Sequence, residues 1–141
     1  MARKGNVIYP SKFNSKYIVT HPDYESGLKD ILERSGRESD FSSKYKNRLR
    51  FLEERKKNCV LRSKWFENLK HAKQIYAMIF DKSEKNIRIL FSFIEYKERQ
   101  YAVLLYVFEE KDRKSKSKTS YNTGIPIAEK RLKEVMEDEG Y

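Results

Sequence analysis

The chain has 141 residues, 31 of them Lys or Arg against 21 Asp or Glu, for a formal net charge of +10. A surplus of that size favours nucleic acid or an anionic surface over acidic or neutral small substrates, and the length suits one compact domain with a real core. No apolar run approaches the roughly 20 residues that cross a bilayer, so no membrane span is expected. The basic start, Met1 to Pro10, lacks the apolar stretch of a secretory signal, and the single Cys59 has no internal disulfide partner, which fits a reducing cytoplasm.

Residues 1–16 carry Gly5, Pro10, Asn14 and several cations without lasting periodicity and read as an irregular basic arm before one domain over 17–141. Tyr17 to Thr20 has strand composition and stops at His21-Pro22, where proline offers no backbone donor. Asp23 is placed to cap a helix over Tyr24 to Ser35, with Leu28, Ile31 and Leu32 at helical spacing and Gly36 as its stop. A clearer helix follows. Phe41, Tyr45, Leu49 and Leu52, then Cys59 or Val60, recur every three to four residues, while Lys44, Lys46, Arg48, Arg50, Arg55, Lys56 and Lys57 cover the remainder. Ser42 and Ser43 suit its N-cap, and the late cations suit the negative pole of its dipole.

Trp65, Phe66 and Leu69 form a small apolar cluster ahead of a strand at Ile75 to Phe80. After a polar turn at Asp81 to Lys85, a second strand spans Ile87 to Ile94. Glu95 to Gln100 reads as another polar turn, and Tyr101 to Phe108 is apolar almost throughout, as in a strand covered on both faces. Short turns imply antiparallel neighbours. A run of charge then begins at Lys111 and ends at Lys118, after which Thr123, Gly124 and Pro126 introduce a last helix with Ile125, Ala128, Leu132 and Val135 or Met136 on one face.

The succession of a basic helix, "LKHAKQIYAMIF", "NIRILFSFI", "YAVLLYVFEEK" and "IPIAEKRLKEV" resembles the HigB-like, phage-derived branch of the RelE/ParE toxin superfamily. That branch has an arginine-bearing strand of the "yRilyf" type, a strand reading roughly "vvLLhgFxKK" and a late helix with "A..R"; the matching stretch is about residues 69–135. The resemblance implies a small RelE-like α+β fold, helices packed on an antiparallel sheet, and a toxin of a toxin-antitoxin pair. Such a toxin is a ribosome-dependent mRNA endonuclease, with mRNA and the ribosome as partners and a helix-turn-helix antitoxin as neutraliser. ParE-type relatives poison DNA gyrase instead, so fold alone leaves the target open. This chain departs from the pattern at Phe108-Glu109-Glu110-Lys111, where two basic residues are usual, and in its long N-terminal extension.

Cleavage of RNA by its own 2′-hydroxyl needs in-line positioning, cations for the phosphate charge and groups that move protons. Arg88 matches the family's strand arginine and is the first catalytic candidate. Strand alternation sets it on the face of Leu90, Ser92 and Ile94; its structural alternative is a stem covering the sheet with the head on Glu95 or in solvent. Lys111 and Lys114 could clamp the scissile phosphate, with Arg113, Lys116 and Lys118 as further contacts, although charge runs are usually solvated loops. Tyr121 could stack on a base or move a proton, against an anchoring role. His71 completes the catalytic candidates, against the commoner structural histidine. Lys46, Arg48, Arg50, Arg55, Lys56 and Lys57 on the basic helix are candidates for binding nucleic acid.

No Cys/His cluster, glycine-rich phosphate loop or Gly-x-Ser-x-Gly elbow is present in the sequence, so neither a metal nor a cofactor is expected. Glu109, Glu110 and Asp112 read as surface charge and Cys59 as a small apolar residue. The principal alternative to a toxin is a non-catalytic phage or mobile-element protein that binds DNA or RNA through the same cations. An apolar surface left for an antitoxin looks in sequence like one left for a second copy, so a homodimer stays open.

Overall fold

The computed structural model describes residues 6, 7, 9, 10, 12–35, 38–80, 86–110 and 118–138, which form an α+β fold with a five-stranded mixed sheet and three helices. In chain order the elements are β1 (Asn6–Val7), β2 (Phe13–Asn14), β3 (Ile18–Thr20), α1 (Tyr24–Ser35), α2 (Glu38–Arg55), a 3-10 segment (Lys56–Leu61), β4 (Phe66–Asn68), β5 (Tyr76–Ile79), β6 (Ile87–Tyr96), β7 (Arg99–Glu109) and α3 (Lys118–Asp138). The five-stranded sheet has the order β3-β7-β6-β5-β4. The neighbours from β7 to β4 are antiparallel as expected, but β3 runs parallel to β7, with Val19 opposite Val103. The expectation of an antiparallel sheet is therefore corrected to a mixed one. A parallel pair needs a long crossover, and everything from α1 to β6 supplies it.

The near-continuous apolar run of β6 and β7 follows from cover on both faces. Alternation sends Ile87, Ile89 and Phe91 into a core shared with Leu28, Leu32, Tyr45 and Leu49 of α1 and α2. Leu90 and Ile94 join a second core with Ala128, Leu132 and Val135 of α3. In the first core the hydroxyls of Tyr24 and Tyr45 bond each other at 2.8 Å, which satisfies two polar groups otherwise stranded among apolar side chains.

Along β7 the alternation is reset by a bulge. Leu90 faces Tyr106 while Phe91 faces Leu104, leaving Leu105 as the extra residue. Leu105 and Tyr106 consequently both pack on the α3 side. The Leu105 carbonyl accepts a bond from Arg131 Nη1 at 2.9 Å, and the guanidinium lies 5.3 Å from the Tyr106 ring centre. Gly124 allows α3 to press onto this strand, since a Cβ there would sit 3.1 Å from the Phe108 ring and 3.3 Å from Tyr106.

Other boundaries differ from expectation for local reasons. The arm taken as irregular contains the β1–β2 pair, and Val7 and Phe13 are buried in the first core. Helix α2 starts at Glu38, so Ser42 and Ser43 lie inside it rather than at its cap. It ends where Lys56 turns to φ 53°. Just before α1 the ring Nδ1 of His21 accepts the Asp23 amide at 3.0 Å. Its Nε2–H then donates to Glu134 of α3 at 2.9 Å. The β6–β7 turn is only Lys97-Glu98, both at positive φ, because strand pairing continues to Tyr96 opposite Arg99. Helix α3 begins at Lys118, upstream of the expected Thr123. The stop at Gly36 and the turn at Asp81 to Lys85 lie outside the described residues.

Candidate functional site

Where β5 ends, two arginines from different elements close off its last carbonyls. Arg48 of α2 donates from Nε to the Ile79 carbonyl at 3.0 Å, and Arg88 of β6 donates from Nη1 to the Phe80 carbonyl. They reach this point from opposite faces of the sheet. Arg48 packs its guanidinium 4.4 Å from the Phe80 ring centre and 4.6 Å from that of Trp65. Arg88 lies directly opposite Phe108 across the β6–β7 pair, and cross-strand partners share a face, here the α3 face.

Arg88 is held tightly. Beyond Phe80 its Nη1 reaches the Ile87 carbonyl at 3.1 Å, and its Nη2 pairs with Glu110 at 3.1 Å. The alternative partner suggested by sequence, Glu95, is paired across to Gln100 at the other end of β6. Glu110 is itself anchored, since its amide donates to the Asn86 carbonyl at 2.9 Å. It is the site residue that sequence reasoning passed over as surface charge. The signal for it was position alone, one residue after the end of β7.

Tyr121 of α3 joins this pair. Its ring meets Phe108 edge-on at 5.1 Å, Phe108 stands directly opposite Arg88 across the β6–β7 pair, and the Arg88 guanidinium is near enough to act electrostatically on the phenol. Burial pushes the phenol up to about 12, more than the neighbouring Arg88 guanidinium lowers it, with Glu110 and Glu67 adding to the rise. The hydroxyl is therefore protonated at neutral pH and can donate but not act as a base. Arg88, Glu110 and Tyr121 form one cluster, partly open to solvent: the Arg88 side chain is 14% exposed and that of Glu110 24%. A phosphate that took the place of Glu110 would meet two donors on a rigid strand and helix.

The remaining candidates are distributed differently. His71 is exposed in the β4–β5 turn, at the opposite end of β5 from Arg88, and so stands apart from the cluster. Lys111, Arg113, Lys114 and Lys116 lie outside the described residues; the segment that bears them leaves directly from Glu110. Lys118 is the first residue of α3. Arg50, Arg55, Lys56 and Lys57 are exposed and Lys46 is half-buried. Arg55 and Lys56 lie over the rings of Phe51 and Tyr17, at 5.5 and 4.8 Å. Arg48 does not belong with them, since it is only 7% exposed. Its place on an open cationic face is corrected by its position between two aromatic rings.

Among the described residues no group of three His, Cys, Asp or Glu is arranged to hold a metal ion, and no helix is long and apolar enough to cross a membrane. Compared with protein-family models, with curated proteins and with solved structures, the chain has no match.

Proposed function

We propose that this protein is a HigB-like toxin of the RelE/ParE superfamily that cleaves mRNA on the ribosome and is held in check by a helix-turn-helix antitoxin. The observation that carries the reading is the meeting of Arg88 and Tyr121. These residues are 33 positions apart by their numbers, and they come together beside Glu110, where the lysine-rich segment starts. In the reaction the 2′-oxygen bonds to phosphorus as the bond from phosphorus to the 5′-oxygen breaks, leaving a 2′,3′-cyclic phosphate and a 5′-hydroxyl. Arg88, released from Glu110 by the incoming phosphate, stabilises the charge on the non-bridging oxygens. The freed Glu110 carboxylate accepts the 2′-hydroxyl proton, and Tyr121, protonated at neutral pH, gives one to the leaving 5′-oxygen. The ribosome supplies the alignment of the message.

A second reading, a non-catalytic nucleic-acid-binding protein, is favoured by one observation: Arg88 bonds to two carbonyls and a carboxylate of its own chain. The experiment that separates the readings is induction in bacteria of the wild-type chain, Arg88→Ala and Tyr121→Phe at matched protein levels, following growth and mRNA 5′ ends. The toxin reading expects arrest with new in-frame ends for the wild type and loss of both in the variants. Normal growth and intact mRNA for the wild type, with salt-sensitive RNA binding in vitro, would establish the second reading instead.

A further inference from the structure

At the end of β6 remote from Arg88, the sheet runs out of strands on one side. β5 accompanies β6 only from Arg88 to Phe91, whereas β7 continues beside it to Tyr96. A cleft of about 410 Å³ opens at this bare edge, within the range of roughly 300–1,000 Å³ typical of small-ligand sites. Leu132 and Met136 of α3 line it, and Ser92 ties the edge to the chain before β5 by donating to the Gln74 carbonyl at 2.6 Å. Two half-buried rings, Tyr76 and Phe93, meet edge-to-face at 4.8 Å along the lining. Lys57 and Lys73 line it too, both exposed and neither in an ion pair with a described residue. One carboxylate, Glu95, completes the polar part.

We propose that this cleft binds one nucleotide, free or as a unit of single-stranded RNA. The base stacks on the face of one of the two perpendicular rings, Tyr76 or Phe93, and meets the other edge-on; the phosphate lies between Lys57 and Lys73, and Glu95 accepts from the amino or imino groups of the base. Ring surface with flanking unpaired cations is the chemistry that recognises a nucleotide. An added peptide strand fits less well, because the open edge is short, from Ser92 to the turn at Lys97, and offers few main-chain hydrogen bonds. The site is separate from the Arg88 cluster. Arg88 and Ile94 are six residues apart on β6, roughly 20 Å at about 3.3 Å per residue. The cleft shares with the proposed function only RNA as a ligand class and stands whether or not the chain cleaves it.

The test is amide NMR of the full chain titrated with AMP, GMP, CMP and UMP, and with a 2′-O-methylated tetranucleotide that cannot be cleaved. Saturable shifts are expected at Gln74, Tyr76, Phe93 and Glu95. Lys57→Ala with Lys73→Ala, both at exposed positions, should weaken binding about tenfold or more, and Glu95→Gln should change the ranking of the four bases. These shifts are expected even if induction of the wild-type chain leaves growth and mRNA unaffected, which separates failure here from failure of the cleavage reading. Saturation by mononucleotides identifies free nucleotide as the source, and saturation by the oligomer alone identifies RNA. No saturable shifts with any of these probes, shifts confined to other residues, or binding unchanged in the double lysine variant would overturn the proposal. So would saturation of the same amides by an alternating Glu-Val hexapeptide when the nucleotides leave them unmoved.

Discussion

Arg48→Ala is expected to unfold the protein more readily while leaving the proposed RNA binding almost unchanged, the reverse of what a cationic helix residue would do. The side chain is 7% exposed, its Nε donates to the Ile79 carbonyl at 3.0 Å, and its guanidinium lies 4.4 and 4.6 Å from the Phe80 and Trp65 ring centres. A hydrogen bond from a charged donor contributes about 1.5–3 kcal/mol, and each ring contact adds about 0.5–2 kcal/mol. Contributions that share one group do not add fully, so the expected cost is about 3–4 kcal/mol. With a urea slope of about 2 kcal/mol/M for a domain of this size, the unfolding midpoint should fall by about 1.5–2 M. Arg48→Met is the control: it keeps most of the apolar volume and removes the cost of burying a charge, so it should lose less. Arg50→Ala, at an exposed position of the same helix, should stay within about 0.5 kcal/mol. Equilibrium urea unfolding with RNA binding measured in parallel decides the matter. A midpoint shift below about 0.5 M for Arg48→Ala, together with weakened RNA binding, would refute the reasoning.

The β6–β7 turn should accept a better residue. Lys97 and Glu98 both stand at positive φ, 50° and 65°, a conformation that costs an L-residue about 1–2 kcal/mol and glycine almost nothing. After the extra chain entropy of glycine, about 0.5–1 kcal/mol, Glu98→Gly should stabilise by about 0.5–1 kcal/mol and raise Tm by about 2–4 °C; a lower Tm would count against the turn geometry. Alkaline pH should weaken the fold in a defined window. Burial pushes the Cys59 thiol from 9.0 and the Tyr121 phenol from 10.0 up to about 12, and it raises Tyr17, Tyr24 and Tyr45 as well. The folded chain thus keeps protons that the unfolded chain releases, so stability holds below pH 9 and declines as pH rises from 9 toward 12. Urea midpoints measured across that range should show Cys59→Ala delaying the onset by about one pH unit; an onset unmoved by the substitution would exclude the thiol as a source.

How much could be read beforehand depended on whether the signal was local. The strands β5, β6 and β7 were legible because apolar runs of strand length, Ile75 to Phe80, Ile87 to Ile94 and Tyr101 to Phe108, are separated by polar turns. The amphipathic period of Phe41, Tyr45, Leu49 and Leu52 likewise located α2. The β1–β2 pair was not legible, since two strands of two residues carry no period, and the bulge at Leu105 breaks the very alternation that sequence reading relies on. Of the candidate cluster, Arg88 and Tyr121 were each singled out as candidates from the chain, but Glu110 was taken for solvated charge because its partner lies 22 residues away.

Local residue order, then, determines which segments are helix or strand, which faces are apolar, and that cations exceed anions by ten. These depend on neighbours within one or two turns. The direction of β3 beside β7 is a different matter, because a strand of three residues pairs equally well either way until the crossover through α1 and α2 constrains it. The fates of the arginines are also tertiary. Arg48 and Arg50 are two residues apart on α2 and so point to opposite sides of it, but only the packing of distant Phe80 and Trp65 on one side makes Arg48 a buried cation while Arg50 stays exposed. Desolvation and partner geometry, which decide whether a cation supports the fold or meets a ligand, exist only once distant segments have packed.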